Sequence, residues 1–512
     1  MKRKGCVCVK KTASVSDKSV HYPGKKKKDE SIHRFAALLR NPGRAGGMTN
    51  LLMVTRMSFA MFLVVILLLG VTLWSAASNN ISIVDPEYDR ITVAYLEDYN
   101  IKGTIFDRNG ETVAKTVVEN GNKYREYRYI ESIAHLMGST YGQRAVESYF
   151  YTDLIGYRRE NINSGYGDNV HLTVDVEMQN AIYQLLGDID TGGVIVTDAK
   201  TGEVLTMISL PTYDFTLPSA DANALYQNGE FVNNCMASLT PGSVGKLITA
   251  CILAENNFNP SIYDGGKAEF GENIAPVSNY EGNAYADLQM QGAIKESSNV
   301  WFSTAAWQFC NLGGSFSTGE FVRGMAKLGF NEVIITQLGE ITQSHQISTS
   351  DPNELVQSSF GQGKMLVSPL YMNILTSAIV TDGTMHTPWF VSKTENRRGK
   401  LISQTVPQEL PYVVSPNACT LVREGMLRAG RDEYGFIYNG LEGEVYAKTG
   451  TAEITGTRNN KFITCSFPAS DPQYTFTVFD IDGPGMSYDL KPTAQAIINV
   501  ITEYMTPAIS ED

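Results

Sequence analysis

Met57 to Ala77 is a run of 21 residues (MSFAMFLVVILLLGVTLWSAA) without a charge, about the length a helix needs to cross a hydrocarbon core. It predicts one transmembrane helix. Elsewhere apolar positions come in shorter, interrupted stretches. In Gly103 to Lys115 two such stretches flank Asp107-Arg108-Asn109-Gly110, and Asn-Gly is a strong hairpin signal. Asn161 to Asp168, made of Asn, Ile, Ser, Gly, Tyr and Asp, reads as a hinge. Residues 79–168 are therefore expected to form a small β-rich domain and residues 169–512 a larger one.

In the larger region, helical patterning falls at Met178 to Leu186, Leu247 to Leu253, Leu288 to Ile294, Leu370 to Ile379 and Ala418 to Leu427. Strand-like stretches fall at Gly193 to Asp198, Glu203 to Leu210, Glu444 to Ala447, Phe462 to Phe467 and Tyr474 to Ile481. Strands and helices in mixed order predict a mixed α/β fold, a sheet flanked by helices.

Charge orients the chain. Residues 1–56 carry fourteen Lys or Arg against three acids, a net of +11, whereas the chain after the span is at −23. A basic flank before the span keeps the tail in the cytoplasm, disordered, and exports the rest. The basic tail either lies against anionic head groups or merely fixes topology. A cleaved signal peptide is the competing prediction, but its apolar core is ordinarily about 7 to 15 residues. So acidic an exported part disfavours nucleic acid as a partner. Five scattered exported cysteines and six scattered histidines form neither a disulfide framework nor a metal motif. No cofactor or metal is expected.

Candidate chemistry begins at Ser243-Val244-Gly245-Lys246, the only Ser-x-x-Lys in the chain. At a helix start, positions i and i+3 share a face, and an amine there can take the proton of a serine hydroxyl if burial or positive charge lowers its pKa. Standing alone, the motif is better read as an N-capping Ser followed by an ordinary solvated Lys. Two more motifs follow in order. Ser297-Ser298-Asn299 lies 54 residues on, offering a hydroxyl for proton relay and an amide for a peptide. Lys448-Thr449-Gly450-Thr451 comes 151 residues after that, a cation and hydroxyls suited to a carboxylate, with Gly allowing close backbone approach. Lys200-Thr201-Gly202 has the same letters, but its position before Ser243 and its neighbour Glu203 assign it to a turn. Ser415-Pro416-Asn417 is read as a helix cap.

Order and spacing match the Ser-x-x-Lys, Ser-x-Asn and Lys-Thr-Gly set of penicillin-binding proteins and class A β-lactamases. The chain resembles the class B penicillin-binding proteins from about Lys102 to its C-terminus, including Gly103-Thr104-Ile105-Phe106-Asp107-Arg108-Asn109-Gly110, Thr201-Gly202-Glu203-Val204-Leu205 and Gly361-Gln362-Gly363 before Ser368-Pro369-Leu370. The resemblance implies a transpeptidase domain with an antiparallel sheet flanked by helices, over a small N-terminal pedestal or dimerisation-like domain. It implies a serine D,D-transpeptidase that cross-links peptidoglycan stem peptides and binds β-lactams. Ser243 would be the nucleophile and Lys246 the base, with Ser297 and Lys448 managing protons. Asn299 would hold the stem amide, and Thr449, Gly450 and Thr451 the strand that takes the terminal carboxylate. The N–H groups of Ser243 and Thr451 would form the oxyanion hole. A polytopic glycosyltransferase of the shape, elongation, division and sporulation family is the implied membrane partner.

The sequence departs from the family where Val244 and Gly245 replace a usual Thr and Phe, and where Lys102 replaces a usual Arg. Gly245 is expected to leave space beside Lys246. A D,D-carboxypeptidase and a catalytically weak scaffold are the alternatives. A β-lactamase is disfavoured because no Glu-x-x-Leu-Asn follows Asn299.

Overall fold

The computed structural model describes residues 58–66, 86–138, 145–157, 165–216 and 222–505. Residues 58–66 are helical, with Phe59 and Phe62 exposed. No helix among the described residues is long and apolar enough to cross a membrane. The rest of the expected span, like residues 1–56, lies outside them. From Arg90 onward the chain forms one compact unit.

Its centre is a five-stranded antiparallel sheet in the order Tyr446–Thr455, Arg458–Phe467, Tyr474–Pro484, Gly192–Asp198, Val204–Leu210. The last two strands are buried along nearly their whole length, which is why they read as continuous apolar runs rather than alternating ones. Ile195, Met207, Phe462 and Phe479 face one core with Leu247, Leu375 and Val422 from the helices Lys246–Glu255, Pro369–Val380 and Pro416–Arg428. Val194, Val196, Ile208 and Val478 face another with Ile182 and Ile497 from the helices Val176–Tyr183 and Lys491–Met505. The result is a helix, sheet, helix sandwich.

Helix starts are set by short polar side chains. Asp175, Ser298, Ser368 and Ser415 each accept the N–H three residues on, and Pro follows the last two. The expected cap at Ser415-Pro416 is thus present. Asn373 pins the central helix to the sheet: Thr197 Oγ1 donates to its Oδ1 at 2.6 Å, and its Nδ2 donates to Thr475 O at 3.2 Å.

A second, six-stranded sheet lies at the base, in the order Leu401–Gln404, Val391–Glu395, Asn169–Leu172, Ile105–Phe106, Thr112–Glu119, Asn122–Tyr127. The expected hairpin is there, its turn closed by Asp107 Oδ1 accepting from the N–H groups of Asn109 and Glu111, both at 2.8 Å. The expected division at Asp168 and Asn169 is not a physical break. Asn169–Leu172 pairs in parallel with Ile105–Phe106 and antiparallel with Val391–Glu395, so main-chain bonds cross that boundary from both sides.

Gly103 sits where these segments touch, since a Cβ there would lie 1.8 Å from Asp168 O. Gly103→Ala should lower the thermal unfolding midpoint by an amount equivalent to about 2 to 4 kcal/mol. Gly110→Ala, in the open hairpin turn with nothing within 4 Å, should cost only ~1 kcal/mol for its positive φ. Equal effects in calorimetry would contradict this account of Gly103.

Candidate active site

The Ser-x-x-Lys motif is wound more tightly than an α-helix. Gly242–Gly245 is a single 3₁₀ turn that runs into the helix Lys246–Glu255, and three residues per turn eclipses positions i and i+3. The hydroxyl and amine therefore meet, with Lys246 Nζ and Ser243 Oγ 2.7 Å apart. Ser243 is partly exposed, while Lys246 is completely buried.

Glycines let three backbones converge here. Gly242 has φ +58°, and a Cβ on it would be 2.4 Å from Thr451 C; one on Gly450 would be 2.7 Å from Pro241 O. One on Gly361 would be 1.8 Å from Gly242 O, and Gly361 O accepts from Gly242 N at 2.9 Å. The edge strand Tyr446–Thr455 can thus lie against the Ser243 turn.

Ser297 occupies a left-handed position (φ 55°) between the helices Met290–Lys295 and Asn299–Cys310. Its Oγ is 3.2 Å from Lys246 Nζ and 2.9 Å from Lys448 Nζ. Lys246 also donates to Ser297 O at 2.6 Å and to Asn299 Oδ1 at 2.7 Å. The Asn299 amide is oriented by its Nδ2, which donates to Ser278 O at 2.9 Å.

This geometry counts protons. A neutral amine has two N–H groups and one lone pair, and Ser297 O and Asn299 Oδ1 can only accept. With both N–H groups so used, the lone pair faces the Ser243 hydroxyl. Burial pushes the Lys246 pKa well below its ordinary value, and the neighbouring Lys448 charge pushes the same way, against a pull from Asp264. Burial also pushes Lys448 down to about 7, opposed by Glu433. The arrangement can generate an alkoxide-like serine and pass its proton through Ser297.

Four of the expected residues, Ser243, Lys246, Ser297 and Lys448, are joined in one hydrogen-bonded chain, with Asn299 attached to it. Thr449 and Thr451 are placed differently. Thr449 pairs with Ile463, on the sheet face of the second core, and its Oγ1 is 2.8 Å from Tyr434 OH. Thr451 Oγ1 accepts from Ser487 N at 3.0 Å. The Lys200-Thr201-Gly202 copy is a turn, with Asp198 Oδ1 accepting from Lys200 N and Thr201 N at 2.9 and 2.8 Å.

Sequence reasoning missed Asp264, a buried carboxylate that accepts from Ser298 Oγ, from Asn279 Nδ2 at 2.8 and 2.9 Å, and from Gly266 N at 2.9 Å. Ser298 in turn accepts from Trp301 N at 2.8 Å. Asp264 thereby fixes the triplet from its middle residue. No local signal marks it, because it sits on a three-residue strand, Ile262–Asp264, with no motif around it.

Gly245 also differs from expectation. It opens no space beside Lys246: a Cβ there would lie 2.9 Å from Gly361 Cα and 3.0 Å from Pro241 Cγ. The room that the family's usual Phe would need is filled by the Gly361 backbone.

Residues 192–503 match the family model for the penicillin-binding protein transpeptidase domain. Among curated relatives, penicillin-binding protein 3 of Bacillus subtilis is 25% identical over 346 residues, covering 63% of this chain and 49% of that protein. The peptidoglycan D,D-transpeptidase MrdA of Haemophilus influenzae is 22% identical, covering 67% of this chain and 58% of that one. The chain thus spans about half the length of these two relatives. The peptidoglycan D,D-transpeptidase PbpA of Mycolicibacterium smegmatis is 25% identical over 467 residues, 83% of this chain and 92% of that one. The ceftriaxone acyl-enzyme complex of penicillin-binding protein A from M. tuberculosis has a similar fold, with TM-score 0.71 at 21% identity over 79% of this chain and 99% of that one. Because the family model matches more than half its length, at residues 192–503, the chain belongs to the penicillin-binding protein transpeptidase family.

Gly→Ala inside a helix ordinarily gains about 1 kcal/mol, but the contact with Gly361 should reverse the sign at Gly245. Gly245→Ala should destabilise by roughly 1 to 3 kcal/mol in denaturant unfolding, and a stabilised variant would show that the turn can spread.

Proposed function

We propose that this protein is a serine D,D-transpeptidase that cross-links peptidoglycan stem peptides, and that β-lactams acylate the same Ser243. The observation that carries this is the buried Lys246 amine, 2.7 Å from Ser243 Oγ, while a second lysine shares Ser297.

In the first half-reaction, Ser243 Oγ attacks the carbonyl carbon between the two terminal D-alanines as Lys246 takes the hydroxyl proton. The tetrahedral oxyanion is held by the N–H groups of Ser243 and Thr451. As the C–N bond breaks, the proton passes from Lys246 through Ser297 to the leaving D-alanine nitrogen. Charged Lys448 attracts the terminal carboxylate, and Asn299 holds the stem amide. In the second half, the amine of a neighbouring stem attacks the ester carbon, and its proton returns by Lys246 to Ser243. Water in place of that amine would make the enzyme a D,D-carboxypeptidase, a difference that product analysis with a stem donor and an amine acceptor resolves.

The charge pattern and the apolar run from Met57 to Ala77 support a single-pass anchor, with the catalytic part outside the cytoplasm. That topology would suit a polytopic glycosyltransferase partner of the shape, elongation, division and sporulation family.

Fluorescent penicillin should label the wild type and not Ser243→Ala, and Lys246→Met should slow acylation by about 10² to 10⁴-fold. Labelling that survives in Ser243→Ala would sink the mechanism. The second-order acylation rate should be bell-shaped in pH. The acid limb comes from Lys246, which must be neutral. The alkaline limb comes from Lys448, charged below about 7 and neutral above. A rate that only rises from pH 5 to 9 would contradict the role given to Lys448.

A further inference from the structure

Ala429–Tyr434 is a π-helical turn at the end of the helix Pro416–Arg428, and such turns tend to occur at functional sites. This one touches both the Lys448 strand and the helix that precedes Ser297. On the strand wall, Tyr434 OH lies 2.8 Å from the Oγ1 of Thr449, the residue after Lys448. Gly430 is packed so closely that a Cβ would be 2.0 Å from Val445 O. On the helix wall, Glu433 Oε1 is 3.3 Å from the Nζ of Lys295, which also holds Glu296 at 2.8 Å. Lys295 ends the helix Met290–Lys295, two residues before Ser297.

We propose that Glu433 and Tyr434 are positioning residues, a clasp that ties the Ser297 wall to the Lys448 strand. The clasp deepens the transpeptidase reading and rests on it for the identity of the substrate carboxylate. Tyr434 is buried and keeps its proton, its pKa pushed up to about 12 by burial, so its hydroxyl can hold Thr449 at any working pH. Glu433 opposes the effect of burial on Lys448. The charged groups that bear on this pair are Glu433 on the π turn, which acts on Lys448 and is paired with Lys295, Lys448 itself, which acts on Lys246, and Asp264, which also acts on Lys246. Of these, Glu433 is the anion that favours the charged form of Lys448.

Glu433 is exposed, so Glu433→Gln should fold. In the full-length protein, its alkaline limb for penicillin acylation should move to lower pH by roughly half a unit, the size expected of a partly screened pair. Glu433→Asp should restore most of the wild-type profile, and the melting temperature should stay within a few degrees. Tyr434→Phe, which keeps the ring, should raise the penicillin concentration for half-maximal acylation several-fold while changing the limiting rate less. An unchanged pH profile in Glu433→Gln, or a Tyr434→Phe effect on the limiting rate alone, would overturn the clasp. Titration of isotope-labelled lysines by NMR in the unliganded protein separates the two ideas. Failure of the wild type to label at Ser243 would count against the transpeptidase reading. A Lys448 titration that does not move in Glu433→Gln would count against the clasp whatever the turnover.

Discussion

An amine that must be neutral to act as a base cannot be left in water, and the structure around Ser243 is organised to keep water from Lys246. The helix that carries it is buried from Lys246 to Ala254, so Ser243 stands at the rim of a core rather than on a surface loop. Burial alone would leave an amine with nothing to hold it. Ser297 O and Asn299 Oδ1 supply the two acceptors, and Asp264, through Ser298, holds the segment that presents them. The positive charge of Lys448 works in the same direction as burial. Burial, hydrogen-bond geometry and the like-charge neighbour all act on the same amine.

Much of this was legible in the sequence because the relevant signals are short-range. Ser243 and Lys246 sit three apart, and any tight helical start brings them together. The false Lys-Thr-Gly at Lys200 was distinguishable because it precedes Ser243 and is followed by Glu203, and the hydrogen bonds to Asp198 Oδ1 show it to be a turn. The central strands and the helices Lys246–Glu255, Pro369–Val380 and Pro416–Arg428 also follow apolar runs closely.

What was hidden depends on contacts distant in sequence. The helix Asn299–Cys310 is apolar on nearly every side, and a helix buried all round has no periodic stripe to read. Asp264 has no motif because its partners, Asn279 and Ser298, are 15 and 34 residues away. Gly245 suggested empty space because its neighbour Gly361 lies more than a hundred positions along the chain. The alternation of the edge strand, which sends Lys448 and Thr449 to opposite faces, is implicit in period two. It became concrete only through the pairing with Ile463 and the bond to Tyr434.

The six-stranded basal sheet draws its strands from three separated stretches of chain. A fragment started at Asn169 would keep every residue of the catalytic constellation and still be physically incomplete. The strand Asn169–Leu172 would lose its partner Ile105–Phe106, baring an unpaired edge beside the apolar Val170 and Leu172. Such an edge is a template for association with other chains. The solubility of the catalytic half is therefore encoded partly in residues upstream of it, and the shortest chain that carries the chemistry is not the shortest chain that can remain dispersed.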